Sequence, residues 1–168
     1  VEPEVLKLYA KHYETREVIP DELITKIQNQ GTFNQGFMTT ELLAAALLDM
    51  ELHNLTDTEN LNVVAFEKET MDKLGLIPEI APRYRATYFS HIIGGYAAGY
   101  YSYLWAEVLD TDAFEAFKEH GVFDKNTADS FRKNILEKGG TEDPMTLYRG
   151  FRGADPSLEP LLKNRGLK

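Results

Sequence analysis

The 168-residue chain carries 18 Lys and Arg against 27 Asp and Glu, a net charge of −9, with four His, no Cys and a hydrophobic share of 43%. That length and apolar content suffice to bury a core and read as one helical unit over residues 1–168. Lack of cysteine excludes disulfide scaffolds, Cys-bound zinc and thiol catalysis, and the acidic balance argues against nucleic acid, because the densest basic cluster is the tail Lys163, Arg165 and Lys168.

Val5, Leu6, Tyr9 and Tyr13 fall at i, i+1, i+4 and i+8, which predicts an amphipathic helix starting after Pro3. The preceding Val1-Glu2-Pro3-Glu4 has neither the basic nor the apolar stretch of a signal peptide, and reads as a start within something longer. Leu23, Ile24 and Ile27 restart the pattern after Pro20-Asp21, and Gly31 stops it. A strongly helical run from about Phe37 to Leu55, with Thr40 as its cap, is apolar nearly all round and therefore expected at the centre of the core. Thr58 to Leu74 predicts another helix closed by Gly75.

Beyond the middle of the chain, Thr111 or Asp112 is expected to open a short helix through Phe117, and Lys125 to Glu137 another that ends at Gly139-Gly140. Asp143-Pro144 supplies a cap followed by proline at the first helical position, and a last short helix follows Pro156-Ser157. No alternating β-branched run is long enough for a strand, so the fold class is all-α.

Ala86 to Ala106, ATYFSHIIGGYAAGYYSYLWA, has no charged side chain and is long enough to raise a transmembrane reading. Its Gly, Tyr, Ser, Thr and His leave too little aliphatic surface for insertion, so no membrane partner is expected and a buried helix is. Tyr84, Tyr88, Tyr96, Tyr100, Tyr101 and Tyr103 crowd into the 20 residues from Tyr84 to Tyr103, out of nine Tyr in all. Tyr96, Tyr100 and Tyr103 stand at i, i+4 and i+7, so a helix beginning after Gly94-Gly95 would align three phenols, with His91 on the loop before it. Tyr101 and Trp105 would share another face as ordinary packing.

A tyrosine stripe at helical spacing is more often core than binding surface. Yet each buried hydroxyl needs a partner and returns only about 0.5–1.5 kcal/mol, so Leu or Phe would serve a core better. With a pKa of about 10 these phenols are protonated donors at neutral pH, suited to a developing oxyanion. His12, His53, His91 and His120 include no i, i+4 pair, there is no His-Glu-x-x-His, and Asp49 with His53 reads as a helical ion pair. Neither a nucleophile elbow nor a phosphate loop occurs. The inventory is one of donors without a nucleophile or a metal site.

The run Phe89-Ser90-His91-Ile92-Ile93-Gly94-Gly95-Tyr96-Ala97-Ala98-Gly99-Tyr100-Tyr101-Ser102-Tyr103-Leu104-Trp105 closely resembles the C-terminal part of the thimet-oligopeptidase family of zinc metallopeptidases. Phe33-Asn34-Gln35-Gly36-Phe37, Pro82-Arg83-Tyr84-Arg85 and Phe151-Arg152-Gly153 extend the resemblance, and Pro82 to Arg85 with Arg165-Gly166-Leu167 are most similar to its bacterial dipeptidyl carboxypeptidase branch. The resemblance implies a large helical ellipsoid cut by a channel with one zinc at its floor. The zinc is held there by the two His of a His-Glu-x-x-His helix and a later Glu, all upstream of Val1, while the Glu between the histidines activates the zinc-bound water. It further implies that His91 and Tyr103 bind the scissile region and the tetrahedral oxyanion, with Tyr96 and Tyr100 contacting the peptide.

On this reading the whole enzyme hydrolyses short peptides and releases C-terminal dipeptides, and zinc is its cofactor, although no ligand comes from this segment. Alone, the segment is expected to be inactive and to self-associate through the apolar wall that faces the missing N-terminal part of the chain. The compartment expected is the cytoplasm, with the periplasm as alternative. An endo-acting oligopeptidase of the same family and a non-catalytic helical module that binds peptides are the competing readings. Arg83, Arg85 and Arg152 are candidates for a substrate carboxylate by charge alone, with surface ion pairing the commoner role.

Overall fold

The computed structural model describes residues Val1–Lys168. It is all-helical: α1 Pro3–Tyr9, α2 Asp21–Gly31, α3 Gln35–His53, α4 Val63–Lys73, α5 Ser102–His120, α6 Lys125–Phe131, α7 Pro144–Arg152 and α8 Glu159–Asn164. A tight 3₁₀ turn spans Ser90–Ile93, and α6 runs into a wider π turn over Arg132–Leu136. The sole β feature is an isolated antiparallel bridge between Lys11 and Val18. No helix is long and apolar enough to cross a membrane.

Local chemistry sets several of these boundaries. Asp143 accepts the Thr146 amide at 2.9 Å ahead of Pro144, Asp124 accepts that of Thr127 at 2.7 Å, and Asn62 accepts that of Ala65 at 3.0 Å. Each such cap stabilises its helix by about 1 kcal/mol. Gly75 (φ +68°) and Gly153 (φ +79°) follow α4 and α7 in the left-handed conformation that ends a helix at little steric cost.

Four boundaries differ from the sequence reading. Helix α1 stops at Tyr9, and Tyr13 lies in an exposed turn where His12 Nδ1 accepts the amides of Glu14 and Thr15 at 3.3 and 3.2 Å. Thr40 lies inside α3, its hydroxyl donating back to the Gly36 carbonyl at 2.8 Å, and the helix begins instead after Asn34 in the left-handed region (φ 60°). Helix α4 starts at Val63 rather than near Thr58. Thr111 opens nothing, because its hydroxyl donates to Glu107 O at 2.6 Å and leaves α5 one continuous helix.

Helix α3 is central but covered on one side only. Its Ala44, Ala45, Ala46, Leu48 and Asp49 are buried, whereas Leu43, Leu47 and Met50 remain substantially exposed. Ala45 and Ala46 lie against Phe89, Ile92 and Tyr100, and Ala44 and Leu48 against Met71. Those small alanines let the irregular stretch around Phe89 approach the α3 backbone closely, and burying Phe89 contributes about 2–3 kcal/mol. Only 21 of the 168 residues are buried, so much of the apolar content is left at the surface.

Candidate functional site

Upstream of α5 the chain does not form the helix expected after Gly94-Gly95. Residues 94–101 run through successive turns, and the first helical residue is Ser102. Two amides of these turns meet Asp49 of α3, whose Oδ1 accepts from Ala98 at 3.0 Å and whose Oδ2 accepts from Tyr100 at 2.9 Å. Tyr101 and Trp105, read as packing residues, are about half exposed here, Tyr101 on the last turn before α5 and Trp105 within α5 itself.

The four residues singled out in the sequence nevertheless converge. His91 lies with its ring centroid 6.1 Å from Tyr96, 5.4 Å from Tyr100 and 6.4 Å from Tyr103. Tyr96 stacks on Tyr103 at 5.4 Å with 15° between the planes, and Tyr100 meets Tyr103 edge-on at 5.0 Å. Tyr84, which the spacing did not select, joins them 4.8 Å from His91. Tyr100 is buried (3% exposed), while Tyr96 and Tyr103 are open to solvent at 45% and 42%. The phenol arrangement therefore has one anchored member and two presented ones.

His91, Tyr100 and Tyr103 open on a cavity of about 590 Å³ that is also lined by Leu42, Arg83 and Tyr84, with the carboxylates Glu107 and Asp110 on the α5 side. His91 Nδ1 is buried and has no hydrogen-bond partner within the chain. Burial pushes the Tyr100 phenol above its ordinary pKa, an effect the neighbouring Arg83 guanidinium partly offsets. The Tyr103 phenol is raised chiefly by its pairing with the Tyr96 hydroxyl. Both shifts keep the groups protonated, hence donors, at and above neutral pH.

The three arginines separate clearly. Arg83 donates to Glu41 at 3.1 and 3.3 Å on the cavity wall, whereas Arg85 pairs with Glu67 and Arg152 with Glu119 at 2.7 and 3.0 Å, and neither lines the cavity. No three His, Asp or Glu side chains come together in this segment in a way that could hold a metal ion. A larger groove of about 680 Å³ between α5, α6 and α7 is lined mainly by Leu109, Phe114, Phe117, Phe131, Ile135 and Leu147 and lacks converging donors.

Residues 1–167 match the model of a family of peptidases. The chain belongs to peptidase family M3. It is 44% identical to the dipeptidyl carboxypeptidase of Escherichia coli (strain K12), over 98% of this chain and 25% of that protein. Identity is 41% to the dipeptidyl carboxypeptidase of Salmonella typhimurium, again over 98% and 25%, and 39% to oligopeptidase A of Escherichia coli, over 99% and 25%. The chain thus spans about a quarter of the length of these relatives.

Proposed function

We propose that these residues form the substrate-binding and oxyanion-stabilising part of a zinc metallopeptidase that hydrolyses short peptides and releases C-terminal dipeptides. The observation that carries this reading is the convergence of His91, Tyr96, Tyr100 and Tyr103, of which His91, Tyr100 and Tyr103 line one open cavity and Tyr96 stacks on Tyr103 outside it. In the whole protein the zinc and its activating carboxylate, held by residues outside this segment, would supply the nucleophilic water. Tyr103 donates its phenolic O–H to the oxyanion as the scissile carbonyl becomes tetrahedral, where a preorganised donor counts most. His91 donates to the same region from the turn, and Tyr96 and Tyr100 contact the peptide, Tyr100 from a fixed position and Tyr96 from the solvent side.

Tyr103→Phe in the full-length enzyme tests the reading: kcat should fall about 10²–10³-fold, the usual loss for one oxyanion donor. Unchanged turnover removes Tyr103 from the mechanism. A second reading is internal cleavage of peptides by the same site; one of the relatives is named an oligopeptidase. Amidating the C-terminus of a short peptide distinguishes the two, since release of dipeptides requires the free carboxylate and internal cleavage does not.

A further inference from the structure

We propose that Asp49 is the positioning residue of the phenol cluster: its carboxylate, rooted in α3, fixes the backbone of residues 98–100 and through it the donors Tyr100 and Tyr103. This inference rests on the role given to Tyr103 above. Asp49 is fully buried, at 0% exposure, on the face of α3 that otherwise presents Ala45, Ala46 and Leu48. A carboxylate in such surroundings is tolerated only where its oxygens are hydrogen-bonded.

Both oxygens are used, and both reach across to the turn. Oδ1 takes the Ala98 amide and Oδ2 the Tyr100 amide. On the other side His53 Nδ1 lies 2.9 Å from Oδ1 and 2.9 Å from the Asp49 carbonyl oxygen. Since both neighbours are acceptors, that nitrogen carries the proton and holds the carboxylate in place.

The turn needs such a clamp. Ala98 sits at φ +51°, a left-handed conformation that residues with a Cβ rarely adopt, and it persists because alternate amides are drawn to one pair of oxygens. Tyr100 O in turn accepts the Tyr103 amide at 3.3 Å, so fixing Tyr100 fixes the entry of α5 and the root of Tyr103. A leucine at position 49 would bury more apolar surface but would leave two amides without partners.

The test uses the full-length protein carrying Asp49→Asn, which keeps the volume but turns an N–H₂ toward one of the two amides. Hydrogen exchange read by mass spectrometry should quicken in peptides covering residues 96–101 and stay unchanged in those from α6 and α7. The kcat should fall about 10- to 10²-fold at nearly constant KM, as for a misplaced donor. In a Tyr103→Phe background the same substitution should cost clearly less than it does alone, because Tyr103 is already gone and only the placement of Tyr100 is left to lose.

Unchanged exchange over 96–101, or full additivity with Tyr103→Phe, overturns the proposal. Should Asp49→Asn fail to fold, His53→Gln removes the support from the partly exposed side, and exchange over 96–101 should still quicken; no change there overturns it equally. Failure of the Tyr103 role itself would show separately, as retained turnover in Tyr103→Phe, while the exchange measurement keeps its meaning.

Discussion

Arg165 grips Glu107 with two nitrogens, Nε at 3.1 Å and Nη2 closer still, while its Nη1 donates to Thr39 at 2.7 Å. Far from being part of a loose basic tail, this side chain is 8% exposed and joins the end of α8 to α5 and α3. Removing it strands Glu107, which is itself about one-third exposed, so the loss is smaller than for a fully buried pair. Arg165→Ala should destabilise the chain by about 2–3 kcal/mol, and Arg165→Lys by less because the charge survives without the fork. Urea denaturation of the three forms measures this, with equal midpoints as the contrary result.

Tyr148 donates to Asp112 at 2.5 Å inside the α5–α7 contact, and burial, then this bond, push its phenol far above the ordinary value of about 10. Above that value an unfolded chain releases the Tyr148 proton while the folded chain keeps it. The folded state then binds more protons, so stability falls as pH rises beyond about 10. Tyr148→Phe should flatten that decline and, at neutral pH, cost about 1–3 kcal/mol by leaving buried Asp112 one donor short. Thermal unfolding at pH 8 and pH 11 reads both effects.

Gly166 and Gly75 share nearly the same backbone angle, φ +67° and +68°, but differ in surroundings. A Cβ at Gly75 meets nothing, whereas one at Gly166 comes within 3.1 Å of Thr32 Cβ and Cγ2. Gly75→Ala should therefore cost about 1–2 kcal/mol, the left-handed penalty alone. Gly166→Ala should cost more, and Thr32→Ser, which removes Cγ2, should recover part of the difference. Equal losses for the two alanines in denaturation would refute this account.

Trp105, the single tryptophan, lines the apolar groove between α5 and α7 and is 46% exposed. With this groove and the outer face of α3 uncovered, the 168 residues alone should self-associate. Trp105 emission should shift to the blue as concentration rises, and sedimentation should show species larger than a monomer. A constant spectrum and a monomer throughout would count against it.

Elements that end on their own chemistry were legible in the residues. The α7 start at Asp143-Pro144, the stop of α2 at Gly31 and that of α4 at Gly75 depend on neighbours within one turn. The i, i+4, i+7 spacing of Tyr96, Tyr100 and Tyr103 selected the right residues for the wrong geometry: they meet because Asp49 staples the turns, not because a helix carries them. No local pattern announces a contact across 51 residues. The one available signal was an acid set in the apolar run Leu47-Leu48-Asp49-Met50, four residues before His53. Tyr84 escaped the spacing because it enters the cavity from an irregular stretch with no periodicity to read, and its neighbour Arg83 was named by charge alone.

The separation of Asp49 from the amides it holds also bears on how the chain acquires its shape. Helices such as α3 and α5 close their own bonds within a few residues, but the Asp49–Tyr100 bond must first close a loop of some fifty residues and that between Thr39 and Arg165 one of 126. Loop-closure entropy is lost before either bond forms, which slows steps of this kind relative to helix formation. On these grounds the cluster of phenols should assemble late in folding, after the helices that carry it have formed.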